Sequence, residues 1–168
     1  MRPATPISRR SFIKKTISMG AGMTLSVSMP VMASSKRFEE IDEEGQLTAN
    51  AFVSVSADNS VTIKIKHIEF GQGTFTGLAT LAAEEMDADW DQIVAESAPA
   101  NKDLYSNLFF GSQATGGSTA IANSFIQMRE AGAVARHMLV AAAAERWSVP
   151  ISEITVRRGV VSHNNGQS

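Results

Sequence analysis

The chain has 168 residues, 43% of them hydrophobic, and a formal net charge of −2, enough for one modest domain or part of a larger one. It contains no cysteine, which excludes disulfides, thiolate chemistry and Cys-ligated zinc or iron–sulfur centres from this chain. Arg2, Arg9, Arg10, Lys14 and Lys15 are the only charged residues in 1–33, leaving 10 basic and 17 acidic residues beyond them, an acidic body unsuited to nucleic acid.

The segment 8-SRRSFIKK-15 followed by 16-TISMGAGMTLSVSMPVMA-33 has the basic start, apolar middle and small-residue end of an export leader, with cleavage expected near Ala33. Spanning a bilayer takes about 20 predominantly apolar residues. This run is shorter and is interrupted by Gly20, Gly22 and Pro30, so a leader over 1–33 is preferred to a membrane anchor. Arg9-Arg10 with Phe12, Ile13 and Lys14 resembles the twin-arginine leader of bacteria. The resemblance implies the twin-arginine translocase as a partner and delivery to the periplasm, with an uncleaved leader or a partner as routes to membrane association. Residues 34–49 are polar and acidic without periodicity and read as a linker.

Residues 51-AFVSVSA-57 and 61-VTIKIK-66 alternate apolar and polar about Asp58-Asn59, which predicts a hairpin with Lys64 and Lys66 on its wet face. From about Phe75 to Met86, the residues Leu78, Leu81, Ala82 and Met86 recur at helical spacing, ahead of the acidic run Asp87, Asp89, Asp91. A short strand is expected over Gln92 to Glu96. Residues 98–117 form a long loop with three exposed-looking aromatics, and loops of that length are usually functional.

Ser118 or Thr119 is placed to cap a helix running to about Trp147. Ile121, Phe125, Met128, Gly132, Ala135, Leu139 and Ala142 mark its buried face, and Ala141 to Ala144 suit close packing. At about 1.5 Å per residue this helix exceeds what so small a domain covers. A last hairpin turns at Arg158-Gly159, and 164-NNG-166 signals a further turn whose return strand does not follow. Both features predict the front end of something larger.

The motif 69-EFGQGTFTG-77 sets glycines at a strand-to-helix turn, as a dinucleotide fingerprint does, with Glu96 about 20 residues on. Two observations weigh against that reading. The preceding strand is two-sided, not uniformly apolar, and the third glycine comes one position late. A second small-residue loop, 111-GSQATGGST-119, again precedes a helix, where backbone N–H groups and the helix dipole favour an anion. Two such helix starts suit a phosphorylated heterocycle.

The succession 69-EFGQGTFTGLATLAAEEMDADW-90, 97-SAPANKDLYSNLFFGSQATGGSTAI-121, 131-AGAVARHMLVAAAAERWSVP-150 and 159-GVVSH-163 resembles the molybdopterin-binding large subunit of isoquinoline 1-oxidoreductase-type enzymes. These belong to the xanthine dehydrogenase and aldehyde oxidase family. The resemblance implies that Gly71, Gln72 and Gly73, with Thr115, Gly116, Gly117 and Ser118, contact the pterin and phosphate parts of a molybdenum-molybdopterin cofactor, expected in its cytosine dinucleotide form. Phe70 stands where methionine is common in the family, a conservative departure. The family oxidises N-heterocycles or aldehydes with oxygen from water and passes electrons to a small iron–sulfur subunit. Its general-base glutamate lies downstream of this region.

No catalytic residue and no metal ligand is therefore expected in this chain. Glu84 and Glu85 read as a solvated face, and His67, His137 and His163 lack ligand spacing. The expected fold is α+β: hairpin, helix, short strand, long buried helix, hairpin. It forms the N-terminal part, residues 50–168, of a larger molybdenum-cofactor-binding domain. The competing reading is a small self-contained periplasmic binding module without catalytic activity.

Overall fold

A computed structural model describes residues 47–168. The expected leader, and the expected linker as far as residue 46, lie outside the described residues. The elements are β1 (Leu47–Thr48), β2 (Val53–Val55), β3 (Val61–Ile65), α1 (Thr74–Met86), β4 (Ile93–Ser97), α2 (Lys102–Tyr105), α3 (Ala120–Trp147), β5 (Ile154–Arg157) and β6 (Val160–His163). Single-turn 3-10 helices precede β4 and β5. The α+β order of hairpin, helix, short strand, long helix and hairpin is as the sequence predicts.

A four-stranded sheet runs in the order β1-β2-β3-β4, and β5 and β6 form a separate two-stranded sheet. The first hairpin forms because Asn59 takes a positive φ of 77° and the Asp58 carboxylate accepts from both the amide and the hydroxyl of Ser60. β1, formed by the last residues of the 34–49 segment, adds an edge strand antiparallel to β2. β4 pairs with β3 in parallel, with α1 as the crossover. Residues 61–97 are thus a βαβ unit, which period-2 patterning alone does not reveal.

The core lies between this sheet and two helices. Val53, Ile63 and Ile65 meet Leu78, Ala79, Ala82 and Met86 of α1, and Met128, Ala131 and Ala135 of α3. The helices touch at Gly132, where an added Cβ would lie 2.3 Å from the Ala82 carbonyl oxygen. The Arg158-Gly159 turn has φ of 48° and 72°, as a two-residue hairpin loop requires. It docks on the acidic turn after α1: Gly159 N donates to Asp87 O at 2.5 Å, and Arg158 pairs with Asp89 at 2.8 Å.

Four side chains lie elsewhere than expected. Lys66 is 5% exposed, not on a wet face; it follows the last paired residue of β3, and its amine donates to the Ser106 carbonyl and the Gln127 side chain. Tyr105 is buried edge-on to Phe52, its hydroxyl donating to Ala51 O at 2.6 Å, so only Phe109 and Phe110 of the loop's aromatics are exposed. On α3 the buried face begins at Ala120 and Ser124, whereas Ile121 and Phe125 are 40% and 41% exposed. The buried stripe includes a serine because His67 supplies it with a hydrogen bond.

Candidate functional site

The two glycine loops converge at the end of β3. The Ile68 amide donates to Thr115 Oγ1 at 2.9 Å, and that hydroxyl lies 3.5 Å from His67 Nδ1. Thr115 thereby ties the start of the first loop to the second. Ile68, Phe70, Leu108 and Phe109 stand exposed around the junction.

The first loop is closed on itself by Glu69. One carboxylate oxygen accepts from the amides of Gly71 (2.7 Å) and Gly73 (3.0 Å); the other accepts from the Phe75 amide (3.1 Å) and the Thr74 hydroxyl (3.2 Å). The Phe75 and Gly73 amides, with smaller contributions from Gly71 and Thr74, hold this carboxyl far below the usual range, at about 2. The N-terminus of α1 thus already carries an internal anion, which sequence reasoning missed. Its signal was an acidic residue directly ahead of a glycine turn and a helix start.

Gln72 bonds within its own turn, accepting from the Phe70 amide at 2.8 Å and donating to Ile68 O at 2.6 Å. One amide hydrogen and one lone pair of its carboxamide stay available. Gly71 and Gly73 have φ of 105° and 81°, and an added Cβ on either would meet nothing within 4 Å. The turn needs glycine for its backbone angles, and the space beside it is open.

The second loop differs. Thr119 occupies the N-cap position of α3 without capping it: its hydroxyl donates to Gly116 O and accepts from Asn107 Nδ2, both at 2.8 Å. Among the described residues, no protein acceptor pairs with the amides of Gly116, Gly117 or Ser118. Those of the first turn of α3 have no intrahelical acceptor. Gly117 and Ser118 take φ of 58° and 54°, an uncommon backbone for serine. Gly116 has neither a positive φ nor any atom within 4 Å of an added Cβ, so the fold itself gives no reason for a glycine there.

Beneath both loops lies a buried polar layer. His67 (2% exposed) is hydrogen-bonded to Ser124 (0%), which is linked through Asn123 to Asn107 (0%), and no buried side-chain donor or acceptor among the described residues lacks a partner. Burial first, and the Lys66 charge second, lower the pKa of His67, so its ring is neutral at neutral pH. Glu85 is paired with Arg129 on the surface, and no three-membered cluster of His, Asp and Glu forms among the described residues.

The arrangement suits a ligand with an anionic part and a flat polar part. Gly116, Gly117, Ser118 and the start of α3 offer unengaged donors to an anion. The first loop, carrying its own carboxylate, suits the uncharged amide-like edges of a heterocycle at Gln72 and the open glycines.

Residues 5–168 match the family model of the molybdopterin cofactor-binding domain. The chain is 36% identical over 162 residues to the beta subunit of isoquinoline 1-oxidoreductase from Brevundimonas diminuta, covering 96% of this chain and 20% of that protein. It is 27% identical over 170 residues to a membrane-bound aldehyde dehydrogenase of Gluconacetobacter polyoxogenes, named for pyrroloquinoline quinone, covering 99% and 21%. A third relative, a nicotinate dehydrogenase subunit of Pseudomonas putida, is 31% identical over 122 residues, 70% of this chain and 9% of that one. The chain spans about a fifth of the length of the first two. With the family model covering nearly all of it, the chain belongs to the molybdopterin cofactor-binding domain family.

Proposed function

We propose that this chain contributes cofactor contacts to the large subunit of a molybdenum hydroxylase that oxidises an aromatic N-heterocycle or an aldehyde. One observation carries the reading: the donors of Gly116, Gly117 and Ser118 stand unengaged at an uncapped helix start, joined through Thr115 to the glycine turn. Gly116, Gly117 and Ser118 hold the phosphate part, in the cytosine dinucleotide form of the cofactor. Thr115 fixes the two loops, and Gln72, between Gly71 and Gly73, presents its remaining hydrogen and lone pair to the pterin. When bound, the cofactor supplies a molybdenum that accepts two electrons as water-derived oxygen is added to the substrate. In this reading a small iron–sulfur subunit takes those electrons onward. Glu69 does not compete as an acid or base: its low pKa keeps it charged, and its lone pairs are engaged by the turn.

The test is Gly116→Val in the assembled enzyme, with molybdenum and pterin per chain read beside the unfolding midpoint. The unfolding free energy read from it should change by no more than about 0.5 kcal/mol, because the site is open. Molybdenum and pterin content should collapse, because the branched side chain fills the approach to the amides. Full cofactor content in the folded variant would sink the reading. Export by the twin-arginine route to the periplasm belongs to the same proposal, and replacing Arg9 and Arg10 by lysine should leave the protein in the cytoplasm. Unchanged delivery would remove that part alone.

A further inference from the structure

The buried layer under the loops is a continuous hydrogen-bond chain. The Ile68 amide donates to Thr115 Oγ1 (2.9 Å), which lies 3.5 Å from His67 Nδ1. His67 Nε2 lies 3.1 Å from Ser124 Oγ, and Ser124 Oγ donates to Asn123 Oδ1 at 3.3 Å. Asn123 Nδ2 donates to Asn107 Oδ1 (3.2 Å), and Asn107 Nδ2 donates to Thr119 Oγ1 (2.8 Å). Thr119 Oγ1 in turn donates to the Gly116 carbonyl (2.8 Å).

Each hydroxyl has one hydrogen to give. Where Ser124 gives its hydrogen to Asn123, His67 Nε2 is the donor to Ser124. His67 Nδ1 is then bare, and it accepts the Thr115 hydrogen. The rival arrangement, in a ring that also hydrogen-bonds the Ala114 backbone and the Asn123 side chain, places the proton on Nδ1. It turns Ser124 Oγ into a donor to His67 and strips Asn123 of that bond.

We propose that His67 is a positioning residue which, as the Nε2–H tautomer, orients this chain and so locks the two glycine loops into one unit. The inference deepens the cofactor reading and rests on it. His67 touches no ligand; it acts through Thr115 at one end and through Ser124, Asn107 and Thr119 at the other. The chain ends on Gly116, the glycine that the fold does not need, and begins on Ile68, whose carbonyl accepts from Gln72. Both proposed cofactor contacts are thereby set by one imidazole.

The first test is nitrogen NMR of the whole chain labelled in its imidazole rings, at neutral pH. The proton is expected on Nε2 of His67 with Nδ1 bare; a proton on Nδ1 overturns the proposal, and this needs no variant. In the second, His67→Ala should speed amide exchange at Ile68 and Thr119 by about five- to tenfold, the loss of roughly one hydrogen bond. Exchange at the core strand residue Ile63 should stay slow. Unchanged exchange at both loop amides overturns the proposal. So does loss of protection at Ile63, which makes His67 an ordinary core residue. Neither readout uses cofactor, so these failures are separable from those of the cofactor assignment. Finally, molybdenum content in the assembled His67→Ala enzyme should fall at least several-fold. Full content there, with Gly116→Val still deficient, would leave the cofactor site standing and remove His67 from it.

Discussion

Gly132→Ala probes a place where α1 and α3 meet main chain to main chain. An added Cβ would lie 2.3 Å from the Ala82 carbonyl oxygen and 3.0 Å from the Ala82 carbonyl carbon and Cα. Those atoms are backbone in the middle of α1, so no rotamer change relieves the contact. Bringing it to an ordinary separation of about 3.5 Å moves the helices apart by roughly 1 Å, which forfeits a quarter to a half of each dispersion contact across the seam. Overpacking of this kind costs about 1–3 kcal/mol or somewhat more, and the better helix propensity of alanine returns about 1. A net loss of about 1–2 kcal/mol is expected, or roughly 3–12 °C in midpoint for a domain of this size. Thermal and urea unfolding of the wild type and the variant measure it. An unchanged or raised midpoint, the outcome that propensity alone dictates, would refute the close helix crossing.

Three further outcomes are expected. Burial lowers the pKa of Lys66 from 10.5 to about 8. Below pH 8 its amine is charged in folded and unfolded chains alike and the burial cost is fully present; between pH 8 and 10.5 only the unfolded chain holds the proton. Stability should therefore rise through that window by up to about 3 kcal/mol. Urea unfolding of wild type against Lys66→Met, in which the rise disappears, isolates it from Tyr105, and a parallel pH dependence of the two would count against the buried amine. Glu69→Gln replaces one accepting oxygen by a donor facing amides, so exchange at Gly71 and Gly73 should quicken while core amides stay protected, and equal protection in both proteins would disprove the carboxylate clamp. Gly159→Val should detach the last hairpin from the acidic turn, since a Cβ would meet Gln92 Oε1 at 1.8 Å and the φ of 72° resists a branched residue. Limited proteolysis near residue 159 reads this out, and wild-type resistance would contradict it.

The element order was legible in the sequence because it is written in local signals. Alternation marks 51–57 and 61–66, helical recurrence marks a helix from about 75 to 86 and another from about 119 to 147, and Arg158-Gly159 marks the last turn. The resemblance that named the family rests on the same kind of signal, residue types in fixed order along the chain. What tertiary structure decided is every side chain whose surroundings come from distant segments. Lys66 leaves the wet face because Ser106 and Gln127, 40 and 61 residues away, accept from it. Ser124 joins the buried face of α3, and Ile121 and Phe125 leave it, because His67 arrives from β3 to satisfy a hydroxyl that hydrophobic patterning places in water. The parallel pairing of β3 with β4 is a register between strands 32 residues apart, which no local period encodes. The two glycine loops, alike in sequence as helix starts with free donors, diverge for the same reason. Glu69 folds back onto the first, whereas Thr119 is drawn away from the second by Asn107 and Gly116. A hydrogen bond is satisfied by whichever partner the fold brings within 3 Å or so, and distance along the chain does not say which that will be.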